Sequence, residues 1–181
     1  MERDYDVFIS FKNTDTEGKP TKDRALAYKL YEFLKSKKLN IFFSEATLQE
    51  LGTDAWKEGI KEALKSAKIF IALGTEEEYF KSEWVQWERT TFLTRRDDDS
   101  SRAIYSYIAP PMSTAKLPRD ISEMECFEDI KENEFERLYG FISNHLSQHP
   151  HEVKEVDGQA QNDIDIDGNI SGVGGCYRWS S

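Results

Sequence analysis

The chain has 181 residues, with 34 Asp plus Glu against 24 Lys plus Arg for a formal charge of -10, and is 38% hydrophobic and 13% aromatic. That length suits one domain, and a domain of about 150 residues buries roughly two-thirds of its unfolded surface, so its core needs no metal or disulfide support. The charge repels a phosphate backbone, whose binding takes clustered cations, and no apolar run approaches the ~18 residues of a membrane span, so nucleic acid and membrane are both excluded as partners.

The start, Met1 to Asp6, is charged, so no signal peptide is expected. Cys126 and Cys176 lie fifty residues apart without a neighbouring Cys or His pair, which argues against a zinc site and a disulfide framework and makes the cytoplasm the expected compartment. Asp6-Val7-Phe8-Ile9-Ser10 reads as a compact strand running into a polar loop from Lys12 to Lys22. Leu26, Leu30, Phe33 and Leu34 then share one helix face, and Leu39 to Phe43 is a second strand. Gly52 and Thr53 mark a turn and cap before a helix with Trp56, Ile60, Ala63, Leu64 and Ala67 on one side.

Lys68 to Leu73 is the most uniformly apolar strand, the pattern of a strand covered on both faces. A polar loop after Gly74 leads to an N-cap at Ser82 and a helix from Glu83 to Arg95. Ala103 to Ile108 is a fourth strand; Pro110, Pro111 and Pro118 break the next connection, and Glu125-Cys126-Phe127 is a brief fifth. The last helix places Phe135, Leu138, Tyr139, Ile142 and Leu146 on one face. Residues 1–146 therefore predict a small doubly wound α/β domain with a parallel sheet of about five strands. Residues 147–181 hold six acidic residues between His151 and Ser181 and five of the ten glycines, and read as a flexible acidic tail or a truncated further module.

In such folds ligands bind beyond the carboxyl ends of the strands, so the loops after Ser10, Phe43, Leu73 and Ile108 are where chemistry is expected. The first loop contains only Gly18 and is no phosphate-binding loop; no Gly-x-Ser-x-Gly elbow exists, and His145, His149 and His151 read as a solvated stretch rather than a metal site. No cofactor or metal is expected.

Trp84 and Glu88 stand four apart at the start of the helix after the third strand and so share a face at the binding edge. An aromatic plate holds a flat cationic heterocycle by stacking and cation-π attraction, worth about 0.5–2 kcal/mol. A carboxylate beside it stabilises charge on an adjacent sugar carbon. Ordinary glycoside cleavage takes two carboxyl groups, but the pyridinium of NAD+ is already charged and leaves neutral, so one suffices. A Trp and a Glu four apart on a helix also occur often by chance, with Trp84 packed in the core and Glu88 paired at the surface with a cation such as Arg95 or Arg96.

Taken in order, Asp6-Val7-Phe8-Ile9-Ser10, the helix of Trp56, Ile60, Ala63, Leu64 and Ser66 before an apolar strand, and Ser82-Glu83-Trp84 followed by Glu88 resemble the Toll/interleukin receptor (TIR) domain family, particularly its bacterial members, over residues 4–146. The resemblance implies a flavodoxin-like fold and, in many bacterial and plant members, cleavage of NAD+ as substrate. It implies that Glu88 is the catalytic residue, that Trp84 binds substrate, and that Ser10, Phe11, Lys12 and Asn13 line the same cleft with Phe43 and Ser44 at the end of the second strand. Many relatives carry an Asp where this chain has Ser44. The loop Ser44 to Gly52 corresponds to the segment through which these domains assemble with themselves or with other TIR domains.

Lys12, Lys19 and Lys22 are the local cations available to a pyrophosphate, with Lys12 nearest the strand end. Trp56 and Trp87 are expected to pack within the domain. The leading expectation is an NAD+ glycohydrolase or cyclase yielding ADP-ribose or a cyclic isomer, acting in bacterial antiphage defence through a separate effector protein. A non-catalytic adaptor working by TIR-TIR assembly, and a transferase acting on free nucleosides, are the alternatives.

Overall fold

The computed structural model describes residues 3–43 and 56–152. Its elements run β1 (Val7–Ser10), α1 (Lys22–Ser36), β2 (Ile41–Phe43), α2 (Trp56–Ser66), β3 (Ile69–Gly74), α3 (Glu77–Phe80), α4 (Glu83–Asp98), β4 (Ala103–Ile108), β5 (Cys126–Glu128) and α5 (Glu134–Gln148). The five strands form one parallel sheet in the order β2-β1-β3-β4-β5, with Val7 opposite both Ile41 and Ile69. This is the doubly wound sheet expected from strands alternating with helices.

Alternate residues of each strand face opposite sides, and the two resulting cores account for the apolar pattern. Val7, Ile9, Phe43, Ile69, Ile71 and Tyr107 pack with Leu26, Leu30 and Leu34 of α1 and Leu138 and Ile142 of α5. Phe8, Phe42, Phe70, Ala72 and Ile104 pack with Ile60, Ala63 and Leu64 of α2 and Phe92 of α4. Every residue of β3 is buried, as a central strand covered on both faces must be.

The boundaries shift modestly from expectation. α4 continues to Asp98 and places Arg95 and Arg96 in its last turn, where cations favour the carbonyl end of a helix. α5 runs to Gln148, two residues past the expected domain end, and β5 starts one residue late. The stretch after Gly74 is not a plain loop but folds into the single turn α3. Gly74 makes that turn possible: a Cβ there would stand 2.2 Å from Phe80 Cε2, so only hydrogen leaves room for the buried ring. Ser82 does occupy the N-cap of α4, but its hydroxyl donates to Tyr79 O (3.0 Å) instead of capping, because α3 brings that carbonyl within reach. Thr53, Gly52 and the loop Ser44 to Gly52 lie outside the described residues, as does the chain from 153 onward.

The polar loop between β1 and α1 is closed by a bridge between Thr14 and Pro20. Asp15 Oδ1 accepts from the backbone N–H groups of Glu17 (2.8 Å) and Lys19 (2.9 Å), and Gly18 takes a left-handed φ of 79°. Amides satisfied by Asp15 are not presented to a phosphate, in keeping with the missing glycine pattern.

Candidate functional site

Glu88 lies in the second turn of α4, at the carboxyl edge of the sheet, and is 3% exposed. The helical spacing sets the indole of Trp84 one turn above it, and Trp84 Nε1 donates to Glu88 Oε1 (2.9 Å). Ser10, the last residue of β1, donates its hydroxyl to Oε2 (2.5 Å) across 78 positions of sequence. These two hydrogen bonds favour the ionised form, but burial outweighs them and pushes Glu88 up to about 7. The partners are a hydroxyl and an indole, not a cation. Arg89, the next residue, is spent on Asp120 Oδ2 (2.7 Å) and Phe80 O (3.0 Å), and the alternative pairing of Glu88 with Arg95 or Arg96 does not occur.

Glu88 borders a cavity of about 240 Å³, with Phe11, Lys12 and Asn13 on one wall and Trp56, Trp84 and Val85 on the other. That volume is below the ~300–1,000 Å³ of pockets that enclose a whole drug-sized ligand, so it accommodates a base and part of a sugar. Among the described residues Glu88 is the one carboxylate on its wall. A lone carboxyl group suits departure of an already charged leaving group, which needs no acid to protonate it.

Of the residues expected to form the site, Phe11, Lys12, Asn13 and Trp84 line this cavity with Glu88, and Ser10 joins through its hydrogen bond. Phe43 does not. It is wholly buried and stacks on Phe11 (5.1 Å between centroids) and Tyr31 (4.8 Å), supporting the cavity wall from behind. Ser44 lies outside the described residues. Lys12 stays at the cavity, whereas Lys19 pairs with Glu17 (2.5 Å) and Lys22 is exposed.

Trp84 is not an isolated plate. Its ring centroid lies 5.3 Å from that of Trp56 and 4.9 Å from that of Trp87, so three indoles form a connected ladder. Trp56 is partly buried against the second core, as expected, but Trp87 is 37% exposed and forms the outer rung, contrary to the expectation of an interior position. The indoles of Trp56 and Trp87 hold the ring that donates to Glu88.

The sequence reading missed Asp23 and Thr75. Asp23 is wholly buried in the first turn of α1, and its Oδ1 accepts from both the N–H and the hydroxyl of Thr75, each at 2.7 Å. A carboxylate just inside a helix start reads as an ordinary complement to the helix dipole, and nothing local signals a partner 52 residues away.

A model of the TIR domain matches residues 7–139. No curated protein matches the chain significantly. Among solved structures, the chain is similar to a metazoan TIR-STING receptor from C. gigas in complex with 2',3'-cGAMP, at 15% identity and a TM-score of 0.55, covering 81% of this chain and 40% of that one. A second structure of a metazoan TIR-STING receptor from C. gigas matches at 14% identity and a TM-score of 0.53, covering 82% of this chain and 47% of that one. The chain thus spans less than half the length of these receptors, and at such identity the likeness concerns the fold. The family model covers most of the chain and all five strands: the chain belongs to the TIR domain family.

Proposed function

We propose that this TIR domain cleaves the bond between nicotinamide and ribose in NAD+. The observation that carries the proposal is Glu88, buried at a cavity mouth with a hydroxyl and an indole N–H as its partners and, among the described residues, no cation paired with it.

A carboxylate offers about four lone-pair sites, and Ser10 and Trp84 occupy two, which leaves two for the ribose hydroxyls. The positive pyridinium favours the ionised form of Glu88 as substrate enters. The C1'–N bond then breaks, its electron pair leaving with nicotinamide as a neutral base, and Glu88 stabilises the oxocarbenium ion left on the ribose. Water captures that cation to give ADP-ribose and a proton; capture by a hydroxyl or ring nitrogen of the same molecule gives a cyclic isomer. In this reading Lys12, on the cavity wall, meets the pyrophosphate, and NAD+ serves as substrate without a further cofactor. Self-association with other TIR domains, and a product that signals to a separate effector protein in bacterial antiphage defence, extend the proposal on the strength of family membership.

The test is incubation of the purified protein with NAD+, with products separated by chromatography and identified by mass spectrometry, beside Glu88→Gln. Release of nicotinamide by the wild type and its loss in the variant are expected. Inactivity of both at concentrations that force assembly would turn the assignment to an adaptor, and turnover of free nucleosides but not NAD+ would turn it to a nucleoside transferase.

A further inference from the structure

The segment that leaves β1 is fastened from both faces of the sheet. On the α4 side, Ser10 is bonded to Glu88. On the α1 side, the Thr21 hydroxyl donates to Lys12 O, the Thr21 N–H donates to Asn13 O (3.1 Å), and Asp23 binds Thr75 at the end of β3. Asp23 therefore ties the first turn of α1 to the turn from β3 into α3, and Thr21, the N-cap of that same turn, holds the Lys12–Asn13 wall of the cavity.

A purely structural link at this place would be expected to use a neutral group. Burying a carboxylate is costly, and Asp23 Oδ2 has no hydrogen-bond partner among the described residues. An amide could accept from Thr75 without that cost. What the charge adds is stronger attraction for the N–H and hydroxyl of Thr75, which anchor the first turn of α1, and it is from that turn that Thr21 fastens Lys12 and Asn13.

We propose that Asp23 is a positioning residue for the Glu88 cavity: it fixes the Lys12–Asn13 wall against α1 and β3, and so sets where Lys12 meets the phosphates of the substrate. This rests on the proposed NAD+ cleavage for its substrate. Because Asp23 touches neither the reacting bond nor Glu88, its effect falls on substrate binding and not on the chemical step.

The experiment measures KM and kcat for NAD+ in the wild type and in Asp23→Asn, together with hydrogen exchange at the Lys12 and Thr75 amides. In Asp23→Asn, KM is expected to rise about tenfold with kcat within twofold, while those two amides exchange faster and the amides of β3 and β4 do not change. Thr75→Val, which removes the hydroxyl donor only, serves if Asp23→Asn does not fold and is expected to raise KM about threefold. Binding of NAD+ to Glu88→Gln and to Glu88→Gln/Asp23→Asn repeats the comparison without turnover, with Kd about tenfold weaker in the double variant. A normal KM despite faster amide exchange, a fall in kcat at unchanged KM, or loosening spread evenly over the sheet would each overturn the inference. In those cases wild-type turnover of NAD+ stands; absence of wild-type turnover instead refutes the proposed function, and the inference falls with it.

Discussion

Replacing Glu88 with Gln should stabilise the protein, and by an amount that depends on pH. The folded chain holds this carboxyl at about 7, against an ordinary value of 4.5, because burial disfavours its charge. Below pH 4.5 the group is neutral in both folded and unfolded chains and its ionisation costs nothing. Between pH 4.5 and about 7 the unfolded chain releases the proton while the folded chain keeps it, so stability falls as pH rises and the loss is complete above 7. At 1.36 kcal/mol per pH unit the gap amounts to about 3 kcal/mol, an upper bound for one group.

Gln fits the same place. Its Oε1 can accept from Trp84 Nε1, and its Nε2 can donate to the Ser10 hydroxyl, which reorients to accept. At roughly 2–4 °C per kcal/mol for a chain of this size, the melting temperature of Glu88→Gln minus that of the wild type should grow by roughly 6–12 °C between pH 4.5 and pH 8. Paired thermal melts over that range measure it. A difference that stays flat with pH, or a wild type that gains on the variant as pH rises, would refute the claim that this carboxyl carries a burial penalty.

Other consequences follow from the same contacts. Ser10→Ala removes a donor that favours the ionised form, and a hydrogen bond to a charged group is worth about 1.5–3 kcal/mol, so the acid limb of kcat/KM for NAD+ should move up by at least about one pH unit; a pH-rate profile with an unmoved limb would separate Ser10 from Glu88. Trp84→Phe keeps a ring but loses the N–H, so activity at pH 7 should fall roughly tenfold and recover by about pH 9. Trp84→Ala, which also removes the ring, should change the proportion of cyclic to linear product seen by mass spectrometry. Gly74→Ala drives a methyl group into the buried Phe80 ring and should cost about 1–3 kcal/mol in calorimetric stability.

The fold was legible wherever an apolar pattern ran long enough to declare its period. β3, with every residue buried, and the amphipathic faces of α1, α2 and α5 were read within a residue or two. α3 was missed because one turn, Glu77 to Phe80, shows no periodicity, and its cause is the close approach of Phe80 to Gly74 in space. The pairing of Trp84 with Glu88 was legible because helix geometry alone puts residues four apart on one face. Ser10 was expected at the site from the resemblance and from the rule that ligands gather at strand ends, but its bond to Glu88, spanning 78 positions, had no local signal. Asp23 had no such rule to reveal it, and Trp87 looked interior because an indole's area suggests burial. Its exposure makes sense only once Trp56 and Trp84 are seen to have taken the inner places.

The chain contains four tryptophans, and three of them form the ladder at the cavity. Rings this close exchange excitation, and the middle one is hydrogen-bonded to Glu88, so the ultraviolet emission of this cluster responds to the state of that carboxyl group. A molecule that enters beside that carboxyl group, or a proton that leaves it, is expected to alter the light these three rings give off. The fold thus carries its own unlabelled optical gauge of occupancy, set within hydrogen-bonding distance of the group whose chemistry it would follow.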